Sequence, residues 1–194
     1  RPPPILSTTK RHLPRRGRRG RGGGDRGQSP QRDAPRELHP TANPPEIETF
    51  HEWELEPAIL KAIDDMGITT PTPIQRLAIG PVLEGKDVIA KAETGTGKTL
   101  AFGAPLMSRV DASRATVLGL VLCPTRELAQ QVAGVVTELG KPKDIQVALV
   151  VGGDPPHPQV EAIQNGAQVV VGTPGRVLDP VSYTHLRAHE TRFY

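Results

Sequence analysis

Ala92-Glu93-Thr94-Gly95-Thr96-Gly97-Lys98-Thr99 is the stretch around which the rest of this sequence is arranged. It comes after a short apolar run, Asp87-Val88-Ile89-Ala90, and leads into Leu100-Ala101-Phe102-Gly103-Ala104-Pro105-Leu106-Met107. The run suits a buried strand, and residues 100–107 suit the opening of a helix. A glycine-rich turn between the two is the setting of a phosphate-binding loop. Glycines at 95 and 97 let backbone N–H groups close round a phosphate, and the helix start adds free N–H groups and a positive dipole end. Lys98 is then placed to reach the β- and γ-phosphates, and the Thr99 hydroxyl to ligate Mg²⁺. The general pattern has glycine at its first position, where this chain has Ala92. A second reading therefore stays open: a glycine-rich strand-to-helix turn with an ordinary surface lysine.

Outward from the loop, strands and helices alternate. In Leu55 to Gly67, apolar residues at 59, 60, 63 and 66 share a helical face, with Pro57 in the first turn and Gly67 at the end. Thr72 can cap and Pro73 can start a second short helix, which Gly80-Pro81 ends or kinks. Beyond the loop, a strand is expected over 117–122, a helix from Thr125 toward Gly140, a strand near 145–151, a helix around 159–164 and a strand over 168–171. Near-continuous apolar strands alternating with helices predict an α/β fold with a parallel sheet covered on both faces. In such sheets ligands collect at the carboxyl ends of the strands, where the turns Pro124-Thr125-Arg126, Gly152-Gly153-Asp154 and Thr173-Pro174-Gly175-Arg176 all fall.

Composition divides the 194 residues unevenly. Residues 1–40 hold eleven Lys or Arg against three acids, a net +8, so the remainder carries −5 of the overall +3. Residues 1–46 have little to bury and read as a disordered tail with Arg15-Arg16-Gly17-Arg18-Arg19-Gly20-Arg21-Gly22-Gly23-Gly24 at its centre. Such segments grip RNA backbones through arginine charge and stacking; a merely solubilising tail is the alternative. No run approaches the length of a membrane span, and no apolar segment near the start resembles a signal sequence. A soluble, cytoplasmic protein without membrane contact is expected. The single cysteine, Cys123, ends an apolar run and reads as a buried small hydrophobe in a reducing compartment. His51, His157 and Asp154 read as surface residues, and no His, Cys and carboxylate group has metal-site spacing.

With these turns in order, the sequence resembles the first RecA-like domain of DEAD-box RNA helicases, from about Phe50 to Asp179. Gly67-Ile68-Thr69-Thr70-Pro71-Thr72-Pro73-Ile74-Gln75 resembles that family's Q motif, and Phe50, seventeen residues before Gly67, its isolated upstream aromatic. The phosphate loop matches the family's own version, in which Ala stands first. Pro124 to Ala129 resembles motif Ia, Gly152-Gly153 the GG element, and Thr173 to Arg176 motif Ib. The resemblance implies a partial P-loop NTPase domain over residues 47–179, with the Q motif at 48–76. It implies an ATP site made of Phe50, Ile68, Gln75, Glu93, Thr94, Gly95, Thr96, Gly97, Lys98 and Thr99. In that site the Gln75 amide pairs with adenine's edge, Phe50 stacks on the ring, Lys98 and Thr99 serve catalysis, and Thr99 holds Mg²⁺. It also implies an RNA site made of Pro124, Thr125, Arg126, Gly152, Gly153, Thr173, Pro174, Gly175 and Arg176, with backbone contacts indifferent to sequence. For Arg126 and Arg176 a structural role, pairing with a neighbouring acid, stays open beside RNA contact. No protein partner is implied.

After Asp179 the resemblance ends. The family continues to an Asp-Glu-Ala-Asp motif and a second RecA-like domain, whereas Pro180 to Thr191 reads as the translation of a transposon-end sequencing adapter. Residues 180–194 are accordingly expected to be non-native, and the chain a fragment. The expectation is an ATP-dependent RNA helicase for the parent protein, with a fragment that retains ATP and RNA contacts but does not turn over. The alternatives are a different P-loop ATPase or DNA-directed helicase, and a non-enzymatic RNA-binding module acting through the basic tail.

Overall fold

The computed structural model describes residues 5–9 and 43–178. The C-terminal stretch 180–194 and most of the expected tail lie outside the described residues. One part of the tail does not match the expectation of disorder over 1–46. Ile5–Thr9 forms strand β1 and pairs antiparallel with β2 (Asp87–Lys91), Ile5 opposite Lys91 and Thr9 opposite Asp87. Two consecutive aliphatic residues followed by Ser-Thr-Thr, free of glycine and proline, carry the strand propensity that the flanking Arg-Gly segment lacks.

The helices arise from local chemistry. Helix α1 (Pro57–Asp65) buries Ile59 and Ile63, while Met66, expected on the same face, caps the helix and stays exposed. Gly67 takes φ +70, its N–H bonds Asp64 O, and the Ile68 N–H reaches back to Ile63 O, so the last carbonyls of α1 are satisfied within the turn. Helix α2 (Pro73–Leu83) does not stop at Gly80-Pro81. Pro81 stands within its last turn, and the Glu84 and Lys86 N–H groups close onto Gly80 O and Pro81 O. The absent proline N–H costs one ladder bond there, which is too little to end the helix.

Helix α3 (Lys98–Arg109) comes directly after the phosphate loop, and α4 (Arg126–Gly140) starts where Thr125 Oγ1 accepts the Leu128 N–H at 3.2 Å. Strands β3 (Gly119–Leu122), β4 (Val147–Val150) and β5 (Val169–Gly172) form a parallel sheet in the order β3-β5-β4, with Leu122, Gly172 and Val150 level at one end. Alternation in β5 sends Val169 and Val171 into the main core with α1, α3 and α4, and Val170 into a second cluster. There it meets Ala162 and Ile163 of α5 (Pro156–Gln164) and Val177 of the short helix α6 (Pro174–Val177). The parallel sheet is thus covered on both faces, as expected. Strand β2 is not hydrogen-bonded into it among the described residues, which departs from the single sheet the sequence pattern suggests. Nor is β2 the buried strand its apolar run suggests, since only Val88 along it is even partly covered.

Two polar side chains are buried among the described residues, both glutamines, and each joins separate elements. Gln168 accepts the Gln146 N–H at 2.8 Å and donates to Ala112 O at 3.0 Å. Behind α3, the Lys143 ammonium bonds Met107 O and Ser108 O and pairs with Glu56, fixing the C-terminal end of α3 to the start of α1. Cys123 is buried, and burial pushes its thiol pKa up, in keeping with an inert core residue.

Helices α3 and α4 approach closely because Gly103 lets Leu139 in: a Cβ at Gly103 would stand 3.1 Å from Leu139 Cδ1. Leu139→Ala, which empties a fully buried site, is expected to cost about 2–5 kcal/mol, read as a lower urea midpoint. Leu122→Ala, on a half-exposed side chain, should stay within about 0.5 kcal/mol of the wild type.

Candidate functional site

Gly95 and Gly97 of the phosphate loop adopt φ +82 and +81, the left-handed region that glycine enters without penalty. Gly97 is the N-cap of α3, so the loop delivers its last N–H groups along the helix axis. Glu93, Thr94 and Gly95 are exposed and Thr96 to Thr99 half-buried. The Lys98 ammonium folds back onto its own loop, donating to Ala92 O at 2.6 Å and Glu93 O at 2.9 Å. Thr96 Oγ1 donates to Glu93 O at 2.7 Å and tightens the same turn. Lys98 and Thr99 together border an apolar groove of about 400 Å³ between β2 and β3, walled by Val88, Ala90, Phe102 and Leu122.

The start of α2 is fastened to this loop. Gln75 accepts the Thr72 N–H on Oε1 at 2.8 Å and donates from Nε2 to Gly97 O at 3.1 Å. Thr72 Oγ1 donates to Thr96 O at 2.8 Å. The expected base-reading glutamine is therefore 2% exposed and engaged at both ends of its amide. Oε1 keeps a second lone pair and Nε2 a second hydrogen, although the amide is covered in this arrangement. Ile68 lies half-buried after the α1 turn.

Phe50 differs from its expected role. Its ring is 2% exposed and packs on Trp53 with centroids 5.7 Å apart and planes tilted by 57°. A stacked base needs an open ring face, and in this arrangement Phe50 offers none. The reason is local: Glu52 Oε1 accepts the Glu48 and Thr49 N–H groups, which folds Phe50–Glu52 into a 3₁₀ turn and turns the ring inward. The Thr49 N–H, and after it that of Glu48, holds the Glu52 carboxyl below the usual carboxylate range.

The second cluster lies at the carboxyl ends of β3, β4 and β5. Their level register brings the turns at Pro124-Thr125-Arg126, Gly152-Gly153 and Thr173-Pro174-Gly175-Arg176 together from positions up to about fifty residues apart. Pro124, Thr125, Gly153, Pro174 and Gly175 are exposed, and Arg126, Gly152, Thr173 and Arg176 half-buried. Both arginines meet Asp154. Arg126 Nη2 pairs with Asp154 Oδ1 at 2.7 Å, and Arg176 Nη2 donates to Asp154 O at 3.1 Å. The structural alternative, pairing with a neighbouring acid, is met for Arg126 by the Asp154 carboxylate, whereas Arg176 bonds that residue's main-chain carbonyl. The only signal for Asp154 was a carboxylate directly after a glycine pair at a strand's end. No group of three or more His, Cys, Asp or Glu among the described residues is placed to hold a metal ion.

A family model described as DEAD/DEAH box helicase matches residues 72–193. The DEAD-box ATP-dependent RNA helicase CshA of Bacillus cereus is 42% identical over 139 residues, covering 72% of this chain and 26% of the relative. The ATP-dependent RNA helicase eIF4A of Neurospora crassa is 40% identical over 148 residues, covering 76% and 37%. Among solved structures, a DEAD box protein from Methanococcus jannaschii superposes with a TM-score of 0.62 at 37% identity, over 69% of this chain and 36% of that one. Dbp5 of Saccharomyces cerevisiae, bound to RNA and ADP BeF3, superposes with a TM-score of 0.59 at 35% identity, over 69% and 34%. The chain thus spans about a quarter to just over a third of the length of these relatives.

Gly97 carries the most specific prediction of this site. A Cβ there would overlap the Gln75 amide in a left-handed backbone. Gly97→Ala is expected to cost about 1–2 kcal/mol in backbone strain alone and to lower affinity for a nucleoside triphosphate at least tenfold. Titration with a fluorescent nucleotide, beside an unchanged far-ultraviolet circular dichroism spectrum, measures it.

Proposed function

This chain belongs to the DEAD/DEAH box helicase family, and from that membership we propose that it is the ATP- and RNA-contacting part of an ATP-dependent RNA helicase. The observation that carries the reading is the fastening of the α2 start to the phosphate loop through Gln75 and Thr72. It joins an element suited to a base to one suited to phosphates, so that either contact is felt by the other. ATP with Mg²⁺ supplies the phosphoryl group whose transfer to water drives the cycle. The residues fit that pair: left-handed glycines leave N–H groups clear for phosphate, and Lys98 holds its charge at the loop on two carbonyls that it can exchange for anionic oxygens. The Thr99 hydroxyl, half-buried beside Lys98, would provide one Mg²⁺ ligand.

On the base side Gln75 reads adenine with the capacity its amide has left, and Ile68 provides apolar contact. Phe50 supports this side from within the core, and stacking by its ring would require the turn at Phe50–Glu52 to open. At the other cluster, Arg126 and Arg176 with the N-terminus of α4 bind RNA by its backbone, without reading bases. That Dbp5 is recorded with RNA and ADP BeF3 supports the assignment of both ligands. The protein would act in the cytoplasm. Its Arg-Gly segment would add a salt-sensitive grip on the same strand. The alternative of a non-enzymatic module is not favoured, since CshA and eIF4A are both named ATP-dependent RNA helicases.

The 194-residue chain should bind a fluorescent ATP analogue that ATP displaces and GTP does not, and Lys98→Ala should weaken that binding at least tenfold. Equal displacement by GTP would remove adenine selectivity from the reading.

A further inference from the structure

We infer that Asp154 is an internal anion that competes with RNA for Arg126, so that this face takes a phosphate only by exchange. The inference rests on the reading of this face as an RNA-backbone site. Asp154 stands directly after the Gly152-Gly153 turn and meets two arginines through different atoms. Its carboxylate takes Arg126, and its main-chain carbonyl takes Arg176. One residue therefore performs two separable tasks: the carbonyl anchors, while the carboxylate cancels charge.

The Arg126 guanidinium lies against the glycine turn. Gly153 has φ +88, and a Cβ there would overlap the guanidinium. The glycine turn thus leaves room for the guanidinium, whose hydrogen-bond partner there is the Asp154 carboxylate. The two side chains of the pair are 41% and 43% exposed, so solvent and an incoming anion reach both. An exposed pair of this kind is worth up to about fivefold in an equilibrium constant. A phosphate, which can accept two parallel N–H bonds from a guanidinium, competes well against that. Occupied by Asp154, Arg126 is held in readiness; once exchanged, it faces RNA while Arg176 remains on the carbonyl. The carboxylate, left beside a bound strand, then favours release by like-charge repulsion.

Asparagine at 154 separates the tasks, since it retains the main-chain carbonyl and removes the charge. The full chain and its Asp154→Asn, Asp154→Ala and Arg126→Ala variants would be titrated with labelled oligouridylate over a range of salt. 4-Thiouridine crosslinks to the peptide bearing Arg126 would be counted separately, so that binding by the Arg-rich segment does not mask the effect. Asp154→Asn is expected to tighten binding about two- to fivefold, to raise crosslinking at that peptide, and to steepen the log–log salt slope by about 0.7. Asp154→Ala, which has no amide to pair with Arg126, should do the same. Unchanged or weaker binding in both Asp154 variants would overturn the competitor role. If Arg126→Ala leaves crosslinking and affinity as they were, the RNA reading of this face fails instead, whatever Asp154 does.

Discussion

Two side chains at the start of α2 fasten it to the phosphate loop, and the more constrained of them is a buried amide. Gln75 is almost without solvent contact, and a buried primary amide is costly unless its oxygen and nitrogen both find partners. They find them on two different elements, the Thr72 N–H at the cap of α2 and the Gly97 carbonyl at the head of α3. Because β2 lies outside the three-stranded sheet, the phosphate loop cannot rely on that ladder for its place. It relies on α2, packed on α3 and β2 through Leu77, Ala78, Ala101 and Val88, and on this amide at the helix start. A longer or shorter side chain at 75 would satisfy the helix or the loop but not both.

The fold was legible wherever periodicity or punctuation expressed it. The apolar runs of β3, β4 and β5, the N-cap at Thr125 and the glycine stop at Gly67 all stand near where the sequence pattern places them. Their signals are local, and tertiary packing agrees with them. Pro81 misleads because the same residue ends a helix in one context and sits harmlessly in a last turn in another. The separation of β2 from the sheet was not legible, since apolar content marks a strand but not its neighbour.

The candidate site divides along the same line. Loop glycines, Lys98 and the three turns could be read from spacing, because each is a short motif with its own geometry. Gln75's double engagement could not, since it depends on where the loop is folded relative to α2. Asp154 was missed for a similar reason: twenty-eight residues separate it from Arg126, and only the parallel register of β3, β5 and β4 brings the two together. Phe50 shows the reverse case. Its spacing to Gly67 fits a base-stacking residue, yet the Glu52 carboxylate closes a turn that faces the ring inward.

The groove between β2 and β3 also bears on how the chain behaves as a particle in solution. Leu122 in its wall, and Ile89 and Leu120 elsewhere on these two strands, are more than half exposed, apolar side chains left to water. Strand β3, at the edge of its sheet among the described residues, also presents backbone groups with the pairing capacity of a template. Such a surface favours self-association of this chain as its concentration rises. A modest excess of charge opposes that association.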